Sequence, residues 1–300
     1  MSYVLTLVAS SERKPITKSH IKEIGKIIDF YNLSYTAQPV WLAPSRAVDL
    51  GVSDKPQRAL IAHLHEFLAD FEIDLFCNAI ERRRKKLLLA DMDSTIVSSE
   101  TLDELAEFAG IKDKVAEITQ RAMEGLLDFH SALRERVGLL KGLSADKLQE
   151  TLDATEINPG ARTLVSVMKA HGATCILVSG GFTFFTDAIA KELCFNHNFG
   201  NTLEIADGTL TGKVGEPIQD KHSKLECFNR FVTELGILPQ DVITIGDGAN
   251  DLPMLKAAGL GIGYYAKQTV KDEMCNLIQY GDLTAVLYAQ GYTAQQIGNV

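Results

Sequence analysis

Apolar and polar positions divide this chain of 300 residues into two parts with different rhythms. In residues 1–80, short alternating runs surround two helical stripes. Tyr3–Val8 alternates loosely as a strand. His20–Tyr31 carries apolar residues at 21, 24, 27, 28 and 31, the spacing of one helix face. Thr36–Ala43 and Arg46–Val52 predict short strands separated by Pro44-Ser45. Pro56–Phe71 predicts a second helix with Leu60, Ile61, Leu64, Phe67 and Leu68 on one side, and Ile73–Ile80 a closing strand. The order βαββαβ is that of a ferredoxin-like unit. No motif that could do chemistry stands out in it. Its roles stay open between a packing or dimerising appendage and a small-molecule sensor.

Beyond it the pattern changes. Leu87–Ala90 is a short apolar run behind a charged one, as expected of a buried parallel strand. Residues 101–156 then read as helices: Thr101–Ala109, Asp113–Glu124, Asp128–Leu140 and Ala145–Ala154, with turns at Gly110, Gly125 and Gly142. After Asn158-Pro159-Gly160, helix and strand alternate. Arg162–Ala170, Phe182–Leu193, Ser223–Leu235 and Leu252–Ala258 predict helices. Ala173–Val178, Val242–Ile245 and Leu260–Gly263 predict apolar strands. Asp207-Gly208 marks a hairpin between Leu203–Ala206 and Thr209–Val214. The expected fold is α/β, a doubly wound parallel sheet with an inserted helical cap, preceded by the α+β ferredoxin-like unit. The expected domains are 1–82 and 83–300, with the cap at about 98–158.

Composition narrows the function classes. A net charge of -9 argues against a nucleic-acid binder, which needs a basic face. The basic run Arg82–Lys86 reads as a solvated lead into the next strand. No apolar run reaches the roughly 18–20 residues that span a bilayer, so no membrane role is expected. The five cysteines are odd in number and none forms a Cys-x-x-Cys pair. They read as buried free thiols, and with no signal-peptide pattern at the N-terminus the cytoplasm is the expected location.

Ligands of a doubly wound sheet bind beyond the C-terminal ends of its strands. Leu87–Ala90 is followed by Asp91-Met92-Asp93-Ser94-Thr95, Ala173–Val178 by Ser179-Gly180-Gly181, and Val242–Ile245 by Gly246-Asp247-Gly248-Ala249-Asn250-Asp251. Lys224 opens the helix before the last of these strands. Carboxylates gathered at one rim repel one another unless a cation joins them. With only oxygen ligands, a hard ion is favoured, Mg²⁺ before Ca²⁺ or zinc. Ser179, the backbone N–H groups near Gly180 and the Lys224 ammonium supply donors for a phosphate. Asp91 and Asp93, two apart on extended chain, point the same way and flank one reacting centre. One attacks phosphorus while the other handles the leaving group's proton and then activates water.

These motifs, in this order, resemble those of the haloacid dehalogenase superfamily. More narrowly, residues 85–290 resemble its phosphoserine phosphatase family. That match takes in Asp-Met-Asp-Ser-Thr through Glu100, Phe129 through Leu-Arg-Glu-Arg-Val-Gly-Leu-Leu-Lys, Val-Ser-Gly-Gly-Phe, and Gly-Asp-Gly-Ala-Asn-Asp-Leu-Pro-Met-Leu. Residues 1–80 resemble, less closely, the ACT-like domain of some members. The resemblance implies that Asp91 is the nucleophile and Asp93 the general acid and base. It implies Mg²⁺ bound by Asp91, Asp247 and the main-chain carbonyl of Asp93. Ser179, Gly180 and Lys224 would hold the phosphate, Asn250 would touch substrate or phosphate, and Asp251 would orient Lys224 or metal-bound water. Glu100 would meet the ammonium of phosphoserine and Arg136 its carboxylate, signs complementary to that substrate. Met123 and Phe129 would help close the cap. A homodimer through the first domain and a place in serine biosynthesis complete the expectation. The alternative is the same chemistry on another small phosphomonoester.

Overall fold

The computed structural model describes residues 2–123 and 126–300, so Gly125 falls outside it, as does the side chain of Met123. The first six elements are β1 (Tyr3–Ala9), α1 (Lys18–Phe30), β2 (Val40–Ala43), β3 (Ala47–Val52), α2 (Arg58–Ala69) and β4 (Ile73–Ala79). Their strands pair antiparallel in the order β2-β3-β1-β4, the ferredoxin-like arrangement. Ile24 and Ile28 of α1 and Leu60, Leu64 and Leu68 of α2 bury against Leu5, Leu7, Val48, Leu50 and Leu75 of the sheet. The 3.6-residue stripes and the two-residue alternation thus meet on one core. A capping box between Thr17 and His20 starts α1. The second strand is shorter than its sequence run, beginning at Val40.

The rest of the chain contributes β5 (Leu87–Ala90), the cap helices α3 (Thr101–Phe108), α4 (Lys112–Met123), α5 (Phe129–Gly138) and α6 (Asp146–Ala154), then α7 (Ala161–Ala170), β6 (Thr174–Phe182), α8 (Thr183–Leu193), β7 (His197–Asn201), β8 (Leu203–Ala206), β9 (Thr209–Val214), α9 (Lys221–Glu234), β10 (Val242–Gly246), α10 (Leu252–Ala257), β11 (Leu260–Tyr264), α11 (Gln268–Lys271), β12 (Leu277–Ile278), α12 (Ala285–Ala289) and α13 (Ala294–Gly298). Strands β12-β11-β10-β5-β6-β7 are parallel. Side chains alternate across β5. Leu88 and Ala90 join the core that includes Leu164 and Met168 of α7, while Leu87 and Leu89 join Phe228 and Phe231 of α9. Helices therefore cover both faces. Strand β5 lies between β6, which follows it, and β10, which comes much later, so the connections diverge there and leave a crevice above it.

One antiparallel pair, Leu75 with Leu277, joins β4 to β12 and makes a single sheet of ten strands. Around it, the Asp74 carboxylate accepts from the amides of Gln279, Tyr280 and Gly281 at 2.8, 3.2 and 2.9 Å. The basic run beside this junction departs from expectation in part: Arg82, Arg84 and Lys86 are exposed, the other two are not. Lys85 is buried and donates to the carbonyls of Arg82 and Gln240. Half-buried Arg83 pairs with Asp49 at 2.6 Å and donates to the carbonyls of Tyr288 and Ala289, which ties the first unit to the second. The thiols also depart in part: all five are free, but only Cys175 and Cys227 are buried, Cys77 and Cys275 are half-buried and Cys194 is exposed.

The two chain segments that lead into and out of the cap form a short ribbon. Val97 bridges Ile157, and Asn158 donates its side-chain amide to the carbonyls of Thr95 and Val97 at 2.9 and 3.1 Å. In the β8–β9 hairpin, Asp207 and Gly208 both take positive φ, as the sequence pattern requires. No helix among the described residues is long and apolar enough to cross a membrane.

Candidate active site

The crevice above β5 gathers most of the expected residues. The amide of Asp91 still pairs with the sheet, donating to the Ile245 carbonyl at 3.0 Å. The chain then turns sharply through Met92–Ile96, with Ser94 in the left-handed region. This turn frees both carboxylates from the sheet plane. Asp91 Oδ1 accepts from the Met92 amide at 2.8 Å and lies 2.7 Å from Lys224 Nζ. Lys224 Nζ also lies 2.6 Å from Asp251 Oδ1. All three side chains are at least nine-tenths buried.

Asp251 is fixed twice over. Its second oxygen accepts from the amides of Asp247 and Gly248 at 3.2 and 3.1 Å. A Cβ on Gly246 would fall 2.3 Å from Asp251 Cγ, so only glycine lets this carboxylate tuck beneath the loop. Asp247 is buried nearby, and oxygens of Asp91, Asp247 and Asp251 lie within 4.8 Å of one another. Burial, and then the charge of Asp251, pushes the Asp91 carboxyl well above its ordinary range, against the pull of Lys224. Burial raises Asp247 as well. Burial works against the charge of Lys224, but Asp251 and Asp91 outweigh it and keep the ammonium protonated. Three buried carboxylates against one buried lysine leave a surplus of negative charge, and the donors are all oxygens. Both features suit a hard metal cation.

Asp93 turns its carboxylate toward the end of β6. Its Oδ2 accepts from Ser179 Oγ at 3.0 Å and its Oδ1 from the Thr101 amide at 2.9 Å. Ser179 Oγ in turn accepts from the Gly181 amide at 2.8 Å. A Cβ on Gly181 would lie 2.7 Å from Asp93 Oδ2, which is why this approach needs glycine. Burial, then the charge of Glu100, pushes Asp93 up to about 6.

The cap supplies the outer residues. A Cβ on Gly180 would stand 3.6 Å from Phe129 Cζ, so the Phe129 ring tip reaches over the β6 end. Glu100 precedes α3 at the rim, where its Oε1 accepts from Ser94 Oγ at 3.0 Å. Arg136 lies half-buried in α5, its Nε donating to the Ala132 carbonyl at 3.3 Å. Burial lowers its pKa, and Asp103 and Glu100 oppose that. Asn250 is exposed on the loop after β10. The Met123 side chain lies outside the described residues.

Two contributors were missed from sequence. The Thr101 amide holds Asp93, a backbone role that no residue type announces. Lys267, just past β11, reaches Asp247 Oδ2 at 3.1 Å and Glu100 Oε1 at 3.6 Å. The strand-end rule that found Asp91, Ser179 and Asp247 would have found it too, had it been applied to a fourth strand.

Comparison with known proteins bears on the family and the fold. Residues 88–256 match the family model of haloacid dehalogenase-like hydrolases. A phosphoserine phosphatase of Streptomyces coelicolor is 37% identical over 290 residues, covering 96% of this chain and 69% of the relative. One from Archaeoglobus fulgidus is 44% identical over 190 residues, 63% of this chain, which spans only 55% of that relative's length. The crystal structure of a probable phosphoserine phosphatase from Vibrio cholerae, in unliganded form, superposes with a TM-score of 0.78 at 27% identity, covering 100% of this chain and 89% of that one. The chain belongs to the haloacid dehalogenase-like hydrolases.

Proposed function

We propose that this chain hydrolyses O-phospho-L-serine to L-serine and phosphate, with Mg²⁺ as cofactor and an aspartyl-phosphate intermediate on Asp91. The observation that carries the reading is the buried pairing of Asp91 with Lys224, set beside an Asp93 held by Ser179. Asp91 Oδ1 is engaged by the Met92 amide and Lys224, which leaves Oδ2 to attack phosphorus. A bond forms from Asp91 Oδ2 to phosphorus as the bond to the serine oxygen breaks. Asp93, with a pKa raised to about 6, gives its proton to the departing alkoxide. It then takes a proton from the water that attacks the acyl phosphate, and Asp91 is restored.

Lys224, Ser179 Oγ and the backbone at Gly180 bear on the phosphate oxygens, and Asn250 stands at the rim to reach them. Asp91, Asp247 and the Asp93 carbonyl would hold the ion, which when bound offsets the charge of phosphate and carboxylates. Asp251 orients Lys224 through its 2.6 Å contact. Uncatalysed monoester hydrolysis is slow enough that enzymes supply up to ~10²¹-fold, so charge stabilisation by these groups is a large share of the work. Glu100 meets the substrate ammonium, Arg136 its carboxylate, and Phe129 and Met123 help close the cap. Arg136 is half-buried, whereas its neighbour Arg134 is exposed and pairs with Glu216, which supports Arg136 as the arginine that serves the site.

The domains divide at about residue 82, with the cap inserted at about 98–158. Strand β2 ends the sheet and exposes Val40 and Trp41, which supports a homodimer through the ACT-like unit. Work in the cytoplasm, in serine biosynthesis, goes with the substrate and with five free thiols. The substrate assignment is tested with Arg136→Ala. KM for phosphoserine rises far more than KM for para-nitrophenyl phosphate, which has no carboxylate. An equal rise for both removes the assignment of Arg136.

A further inference from the structure

Lys267 stands at a fourth strand end and belongs to none of the motifs that marked the site. Its backbone amide donates to the Asp247 carbonyl at 2.9 Å, which fixes its position relative to the acidic cluster. Its ammonium lies 3.1 Å from Asp247 Oδ2 and 3.6 Å from Glu100 Oε1. One cation therefore links the loop after β10 to the residue that opens the cap. Burial, with a smaller push from the charge of Glu100, makes Asp247 harder to ionise, and Lys267 opposes both. The pairing raises the Lys267 pKa even though burial works against it.

The two oxygens of Glu100 are not equivalent. Oε1 takes both the Ser94 hydroxyl, at 3.0 Å, and the Lys267 ammonium. Among the described residues, Oε2 has no hydrogen-bond partner, and it remains available to a ligand. We infer that Lys267 is a positioning residue for substrate selection: by holding Glu100 Oε1 it directs Oε2 at the ammonium of the substrate. The inference rests on the reading of Glu100 as the ammonium site.

Three variants, Lys267→Met, Lys267→Arg and Glu100→Gln, separate the two claims. KM is measured for phosphoserine and for para-nitrophenyl phosphate, which lacks an ammonium, and the ratio of the two is compared with the parent chain. Effects on Asp247 fall on both esters and cancel in the ratio. Glu100→Gln raises the ratio about ten-fold or more, as expected for a hydrogen bond between charged groups. Lys267→Met raises it up to about five-fold, the range of a solvent-exposed ion pair, and Lys267→Arg restores most of it. A ratio unmoved by Lys267→Met, with Glu100→Gln still selective, overturns the role of Lys267 alone. A ratio unmoved by Glu100→Gln overturns both.

Discussion

Lys224 Nζ lies 2.7 Å from Asp91 Oδ1, and both side chains are shut away from solvent. The ammonium is shared with Asp251 at 2.6 Å, so one buried cation supports two buried anions. Lys224→Met strands both carboxylates. Removing one partner of a buried pair costs about 3–5 kcal/mol. Urea unfolding in EDTA should show that loss, with turnover falling by several orders of magnitude in assays with added Mg²⁺. A Lys224→Met chain as stable as the parent would show that the carboxylates bind protons and need no cation.

Asp91→Asn keeps the size and most hydrogen bonds of the residue but removes the carboxylate oxygen proposed to attack phosphorus. Turnover is lost while the unfolding transition stays cooperative. Phosphate label from substrate, caught by acid quench, appears on the parent chain and not on the variant. Near-normal turnover in Asp91→Asn would refute the covalent route.

Asp93, raised to about 6, changes protonation not far below neutral pH. In the proposed mechanism the acid form serves the first half-reaction and the base form the second. In single-turnover experiments, phosphorylation by an ester with a poor leaving group slows as pH rises through about 6, and dephosphorylation quickens. Asp93→Asn slows both steps and removes both trends. Parallel trends in the two steps would place the titrating group elsewhere.

Gly181→Ala tests the closeness of the β6 end to Asp93. The added Cβ would sit 2.7 Å from Asp93 Oδ2 and 3.0 Å from Ser179 Oγ, so the carboxylate must shift. Misplacement on that scale costs on the order of 10²-fold in rate. Steady-state kcat for phosphoserine reads the effect, and an unchanged kcat would mean that Asp93 need not stand where it does.

The chemistry of the site was legible in the sequence because each piece is a run of residues fixed to a strand end. Asp91, Asp93, Ser179, Asp247 and Asp251 all follow apolar runs that could hardly be other than buried strands. The joints between units were not legible. Strand β12 is two residues long, and the single Leu75–Leu277 pair joining it to β4 leaves no periodic trace. Strand β7, His-Asn-Phe-Gly-Asn, lacks apolar alternation and was missed. Arg83 and Lys85 sit in a run that patterning marks as solvated, yet the Ala289 carbonyl and Asp49 hold Arg83 and the Gln240 carbonyl holds Lys85. Local pattern reports which faces are apolar and is silent about partners more than two hundred positions away.

The Asp74 clasp at that joint has its own pH signature. Burial raises the Asp74 pKa from 3.8 to about 6, against the pull of three amides. The folded chain therefore binds this proton more tightly than the unfolded one. The stability contribution is fully present below about pH 4 and is lost as pH rises through about 6. At about 1.4 kcal/mol per unit, the loss is roughly 3 kcal/mol. Asp74→Asn has no such step, so the stability of the parent minus that of the variant falls by about that amount between about pH 4 and 7. Urea unfolding in EDTA at the two pH values measures it, and a constant difference would contradict the buried titration.

The most direct measurement is phosphate release from a panel of small phosphomonoesters, with Mg²⁺ and with excess EDTA. The account predicts strong preference for phosphoserine over phosphothreonine, sugar phosphates and aryl phosphates, with release abolished by the chelator and restored by Mg²⁺. Metal-dependent release that favours another ester would contradict the roles of Glu100 and Arg136. Absence of release from every ester would contradict the catalytic reading of Asp91 and Asp93 itself.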